Sequence, residues 1–109
     1  MPKRTDANQA EIVKALRDAG ASVQCLHAVG KGCPDLLVGW KGFNVLFEVK
    51  SRMGTLTPDE REWHSNWEGQ VNVVRTWEEA LGVVCDITHT SYTLSPARAK
   101  SGKNAILFR

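Results

Sequence analysis

The spacing of apolar residues in this chain changes from one stretch to the next, and each change marks an element. Ile12, Val13, Leu16 and Ala19 recur at three- and four-residue intervals, the period of one helical face. Asp6 and Gln9 match a capping box, so the pattern predicts a helix that starts at Asp6 and is ended by Gly20. Residues 22–27 alternate as a strand should. Gly30-Lys31-Gly32 reads as a turn, residues 35–40 as a second strand, Lys41-Gly42 as a hairpin turn and residues 43–50 as a third strand. Beyond a loop at Ser51-Arg52-Met53-Gly54, Thr57 supplies an N-cap, Pro58 the first helical position and Glu60 the N3 carboxylate of a second helix. Trp63 and Trp67 lie four apart on it, and Gly69 is expected to end it. Residues 71–75 read as a fourth strand, and Thr76 with Glu79 opens a short helix to about Val84. Past Asp86 the pattern weakens, and residues 91–94 and 105–108 are expected as short strands or ordering segments. Helix, three strands, helix, strand and helix in that order describe an α/β domain with a mixed central sheet flanked by helices.

At 109 residues the chain supports one core and not two. No apolar run approaches the roughly 20 residues of a membrane span. Met1-Pro2-Lys3-Arg4-Thr5-Asp6 has no apolar stretch behind it, so no signal peptide and a cytoplasmic location are expected. The three cysteines, Cys25, Cys33 and Cys85, form no C-x-x-C pair, which argues against a disulfide framework or a zinc site and for reduced, partly buried thiols. Net charge is +2, yet residues 1–86 hold ten basic and twelve acidic residues. The excess comes from Arg98, Lys100, Lys103 and Arg109, with no acid after Asp86. The division expected is a core at 1–86 and a basic segment at 87–109. That segment either touches nucleic acid or is simply solvated.

Charge inside the two central strands carries the chemistry. Asp35 opens one apolar run, and Glu48 and Lys50 close the next. Unpaired buried charge is costly, so it needs a reason. Period two puts Asn44, Leu46, Glu48 and Lys50 on one side of the third strand and Val45, Phe47 and Val49 on the other. Glu48 and Lys50 therefore share a side, and the hairpin can bring Asp35, 13 residues earlier, beside them. Two carboxylates can hold a hard divalent ion such as Mg2+ or Mn2+, which stabilises charge on a phosphodiester and acidifies a bound water. Lys50 can stabilise hydroxide or the developing pentavalent phosphate, and its compact ammonium is not interchangeable with a guanidinium. The alternative is a buried Glu48–Lys50 pair with Asp35 capping a turn.

Pro34-Asp35 and Glu48-Val49-Lys50 in this strand context resemble the PD-(D/E)xK nuclease superfamily. Asn8 to Arg17, Gly30 to Asp35, Leu46 to Lys50, Leu56-Thr57-Pro58, Trp63-His64 and Val73-Val74-Arg75 narrow the resemblance to the small stand-alone VRR-Nuc proteins of phages and bacteria, over residues 6 to about 82. The resemblance implies a restriction-endonuclease-like α-β-β-β-α-β core and a metal-dependent DNA endonuclease, a hydrolase of phosphodiester bonds. It adds the Val49 backbone carbonyl as a metal ligand and Glu11, on the first helix, as a further acid near the metal. Its stand-alone members are similar to Holliday-junction resolvases, which implies branched or junction DNA as substrate and a homodimer. Many relatives carry a glutamine just after the Leu-Thr/Ser-Pro start of the second helix; here Asp59-Glu60-Arg61-Glu62 stands there. Glu60 is then a capping residue, a metal ligand or a partner of Lys50. Two other functions stay open: a nonspecific or nicking nuclease, and a non-catalytic DNA-binding or scaffold module that retains the fold.

Lys31 and Arg52 in the flanking loops, Arg61 on the helix and Arg75 at the end of the fourth strand are candidate nucleic-acid contacts, with solvation or carboxylate pairing as the alternatives. Trp63 and Trp67 read as core or dimer contacts before base-stacking platforms, and Trp40 at the hairpin tip as an exposed interface residue. His27, His64 and His89 have no metal-ligand spacing, and His64 reads as structural.

Overall fold

The computed structural model describes residues 4–94. Its elements are α1 (Arg4–Asp18), β1 (Ser22–Cys25), β2 (Leu36–Trp40), β3 (Phe43–Val49), α2 (Pro58–Asn66), β4 (Val71–Val74) and α3 (Trp77–Leu94). The order matches the expected one. The strands lie in the sheet as β1-β2-β3-β4, antiparallel across the first two pairs and parallel across β3 and β4. This is the mixed α/β sheet of a restriction-endonuclease-like core.

Local chemistry explains most boundaries. Gly20 sits at φ 108 just past α1, a left-handed conformation that favours glycine. Lys41 and Gly42, at φ 48 and 88, make the two-residue turn between β2 and β3, and positive φ at both places suits the strands' twist. At α2 the Glu60 N–H donates to Thr57 Oγ1 at 3.2 Å and the Thr57 N–H donates to Glu60 Oε1 at 2.9 Å, completing the capping box. Helix α3 uses an offset version: the Glu79 N–H reaches Thr76 Oγ1, while the Glu79 carboxylate takes the Arg75 N–H instead of the cap residue's own.

One face of the sheet carries the core. Leu36 and Val38 of β2, Val45, Phe47 and Val49 of β3 and Val74 of β4 meet Ile12 and Leu16 of α1 and Ala80 and Val84 of α3. Each large apolar side chain buried there contributes roughly 1.5–3 kcal/mol. The opposite face carries Leu46 and Glu48. Both are buried too, so β3 is covered on both sides from Val45 to Val49.

Several expectations are corrected. Helix α1 begins at Arg4, so Asp6 lies inside it and is not its cap. Helix α2 ends at Asn66, with Trp67 as its C-cap, before Gly69 is reached. Helix α3 runs on to Leu94 instead of stopping near Val84, so residues 91–94 are helical and not a strand, and the helix passes through the boundary drawn at Asp86. Residues 105–108 lie outside the described residues. Trp40 is half-buried against the core rather than exposed, with Lys41 Nζ 5.2 Å from its ring centroid. Cys25 and Cys85 are exposed free thiols, and Cys33 alone is partly buried. Among the described residues no helix is long and apolar enough to cross a membrane.

Candidate active site

Asp35 stands one residue before β2, and Glu48 and Lys50 stand at the far end of β3. The hairpin register pairs Leu36 with Phe47. Continuing it by two places sets Pro34 opposite Val49. The ladder stops short of that pair, and the side chain of Asp35 takes over: the Val49 N–H donates to its Oδ2 at 2.7 Å. The Leu46 and Lys50 amides point the other way, to Gln70 and Val74 carbonyls on the β4 side. In a strand the N–H and C=O of one residue share a side, so the Val49 carbonyl also faces β2. Buried Pro34 has no N–H to offer it. A backbone oxygen and a carboxylate are thereby left on one side of the strand end.

Glu48 is 1% exposed. Burial first, then the negative charge of Asp35 and a hydrogen bond shared between the two carboxyl groups, push its carboxyl up to about 9; Glu60 adds to the rise and Lys50 opposes it. Each of two neighbouring carboxyl groups disfavours ionisation of the other. Cys33, just before Pro34, feels the same pair: burial, Glu48 and Asp35 all raise its thiol.

Helix α2 faces this cluster with Glu60, which the sequence left open between a cap, a metal ligand and a partner of Lys50, and with His64, which it read as structural. Lys50 Nζ lies 2.6 Å from Glu60 Oε1 and 3.8 Å from Glu48 Oε2. Burial alone would raise Glu60, but its hydrogen bonds with Lys50 and Thr57 outweigh that and hold its carboxyl below the ordinary range. His64 Nε2 is 3.5 Å from Glu48 Oε1, and burial holds its imidazole below its usual value. Glu60 and His64 lie four apart on a helix that follows the Glu48–Lys50 strand, a visible signal, but only the fold shows which strand residues they meet.

Glu11 is exposed on α1. Lys31 and Arg52 are exposed, in the loop before Asp35 and the loop after Lys50. Arg61 donates to the Leu56 carbonyl. Arg75 gives its guanidinium to backbone, at 2.7 Å to each of the Ser51 and Gly54 carbonyls and 3.4 Å to that of Arg52, which fastens the loop after Lys50. Asn8 of α1 joins in, donating to the Lys50 and Arg75 carbonyls. Trp63 and Trp67 stack on each other with centroids 4.6 Å apart.

No family model and no curated protein matches the sequence. Among solved structures, a chain described as a VRR_NUC domain superposes with a TM-score of 0.64 over 76% of this chain and 96% of its own, at 21% identity. The chain has the VRR-Nuc domain fold. In that fold the Asp35, Glu48 and Lys50 cluster sits where two antiparallel strands part and a helix closes over them.

The donor set suits a hard divalent cation. It offers the Asp35 and Glu48 carboxylates and the Val49 carbonyl, all oxygen, with a positive charge beside them. Among the described residues no three His, Cys, Asp or Glu side chains gather as a metal cage. A small octahedral ion that keeps several waters and meets substrate phosphate needs only one or two protein carboxylates.

Proposed function

We propose that this protein is a metal-dependent DNA endonuclease of the VRR-Nuc type, a hydrolase using Mg2+ or Mn2+. One observation carries the proposal: the hairpin register, continued by one place, sets Asp35 opposite the buried Glu48, with Lys50 Nζ 3.8 Å from Glu48 Oε2. Burial and the neighbouring Asp35 favour a proton on Glu48, and a divalent cation held by the two carboxylates would take that proton's place. Burial of Glu48 and its raised carboxyl are what a structural ion pair would avoid.

The bound ion would polarise a phosphodiester oxygen and acidify a water. Asp35, Glu48 and the Val49 carbonyl would hold it. Asp35 also accepts the Val49 N–H, so one side chain fixes the backbone that presents the carbonyl. Lys50 supplies positive charge where the attacking water and the phosphorane meet. Hydrolysis then proceeds by direct attack of water on phosphorus with departure of one ester oxygen, and no covalent intermediate with the enzyme. Exposed Lys31 and Arg52, in the loops that lead to Asp35 and away from Lys50, would contact backbone phosphates. Glu11, exposed on the helix whose Asn8 reaches the Lys50 carbonyl, would add a further acid near the metal.

A core this small offers little surface for reading base sequence, which favours recognition of DNA shape. We infer a preference for branched DNA, four-way junctions included, cut by a homodimer that matches a twofold substrate. The test is a panel of four-way junctions, flaps, linear duplexes and single strands incubated with Mn2+ or with chelator. Mn2+-dependent cleavage favouring the branched substrates is expected. Equal cleavage of all substrates rejects the preference, and no cleavage of any rejects the nuclease.

A further inference from the structure

Helix α2 has no fully buried residue. Polar contacts and one close backbone approach join it to the site. The approach is at Gly32, in the loop that leads to Asp35: a Cβ there would lie 2.4 Å from the Asp59 carbonyl oxygen and 3.1 Å from the Glu60 nitrogen. The loop carrying Asp35 thus rests directly on the first turn of α2. Gly32 sits at φ +84, a second reason for glycine there.

The polar contacts are specific. Glu60 Oε1 accepts the Thr57 N–H at 2.9 Å and is also the atom 2.6 Å from Lys50 Nζ. The capping box and the lysine contact use the same oxygen, so the helix start fixes where the ammonium rests. One turn further, His64 Nε2 takes the Glu48 oxygen that Lys50 does not: Oε1 for His64, Oε2 for Lys50. All four side chains are 18% exposed or less, so water competes weakly for these contacts.

We propose that Glu60 and His64 are the positioning residues of the site, Glu60 holding Lys50 and His64 holding Glu48 in the poses that metal and phosphate meet. The proposal rests on the nuclease reading above. It assigns the two jobs to different residues, and they separate experimentally. Glu60 acts on the ammonium, so its loss should slow the chemical step. His64 acts on a metal ligand, so its loss should weaken the metal.

The experiment compares wild type with Glu60→Gln, His64→Ala and His64→Gln in four measurements. These are Mn2+ binding without DNA, the resonance of the Lys50 ammonium in 15N-detected spectra, the kcat and KM of DNA cleavage, and the unfolding midpoint as a control for fold. The glutamine at position 60 keeps the cap acceptor and removes the charge. Expected for Glu60→Gln are loss of the slowly exchanging Lys50 ammonium signal, a kcat about tenfold lower at unchanged KM, and Mn2+ affinity within about threefold of wild type. Expected for His64→Ala is Mn2+ affinity weaker by about tenfold or more, partly restored in His64→Gln, with the Lys50 signal kept. Variants that match wild type in Mn2+ affinity, Lys50 signal and kcat overturn the inference, as do losses that only track a lowered midpoint. Wild type that binds no Mn2+ overturns the nuclease reading itself, and this inference with it.

Discussion

Replacing Glu48 by glutamine should make the metal-free protein indifferent to pH where the wild type is not. Burial and Asp35 push the Glu48 carboxyl from the ordinary 4.5 to about 9 in the folded chain. Its folded value lies above its unfolded one, so the stability it contributes is fully present below 4.5 and is lost as pH rises toward 9. Between those limits the folded state holds about one more proton than the unfolded state, which is worth roughly 1 kcal/mol per pH unit. His64 works in the opposite sense, since burial lowers its imidazole, but its contribution is complete by about pH 7, above the unfolded value near 6.5. A window from pH 7 to 8 therefore isolates Glu48 and stays below the raised Cys33 thiol. In chelator, the wild-type unfolding midpoint should fall by about 4–8 °C across that unit, and that of Glu48→Gln should stay level. Saturating Mn2+ should cancel the wild-type slope, because the ion displaces the proton, and should leave Glu48→Gln unmoved. Calorimetric titration in buffers of different ionisation enthalpy should count about one proton released per Mn2+ at pH 7.5. An identical pH slope in the two proteins, or Mn2+ binding with no proton released, would refute the reasoning.

Other substitutions probe the parts around it. Asp35→Asn keeps an oxygen for the Val49 N–H, so denaturant titration should show near-wild-type stability while Mn2+ binding is lost. Gly32→Ala places a methyl against the Asp59 carbonyl at positive φ, and should cost about 1–3 kcal/mol by the same titration. Arg75→Ala removes the donor to the Ser51, Arg52 and Gly54 carbonyls and should destabilise by about 2–3 kcal/mol, with faster amide exchange confined to that loop. Pro34→Ala supplies an N–H opposite Val49 and should weaken Mn2+ binding, read by isothermal titration, with little change in unfolding midpoint.

The hairpin and the second helix were legible because their signals are local. A two-residue turn with glycine fixes the register of β2 on β3, and register with period two is enough to bring Asp35 to Glu48 and Lys50. Thr57, Pro58 and Glu60 mark the start of α2 to the residue. Helix α3 was read too short because Ile87, Thr88, Thr90, Tyr92 and Thr93 disfavour helix on propensity; the helix they join already packs through Ala80 and Val84 into the core with α1, and that context overrides the local preference. The α2 half of the site was legible only in part. Lys50 was one of three partners open to Glu60, while a lone histidine looks structural in sequence, and the crossover that lays α2 over the end of β3 brings Glu60 to Lys50 and His64 to Glu48. Arg75 was open between DNA and a carboxylate partner, and its guanidinium goes to three carbonyls that no sequence pattern announces.

The central claim is that Asp35 and Glu48 together hold the ion that cuts DNA. The most direct measurement is cleavage of a labelled four-way junction by wild type, Asp35→Asn and Glu48→Gln across a Mn2+ titration, with all three proteins shown to be folded and at equal concentration. Mn2+-dependent cleavage by wild type is expected, and none by either variant at any Mn2+ concentration. Cleavage by wild type that persists in chelator, or variants that cut as fast as wild type, would contradict it.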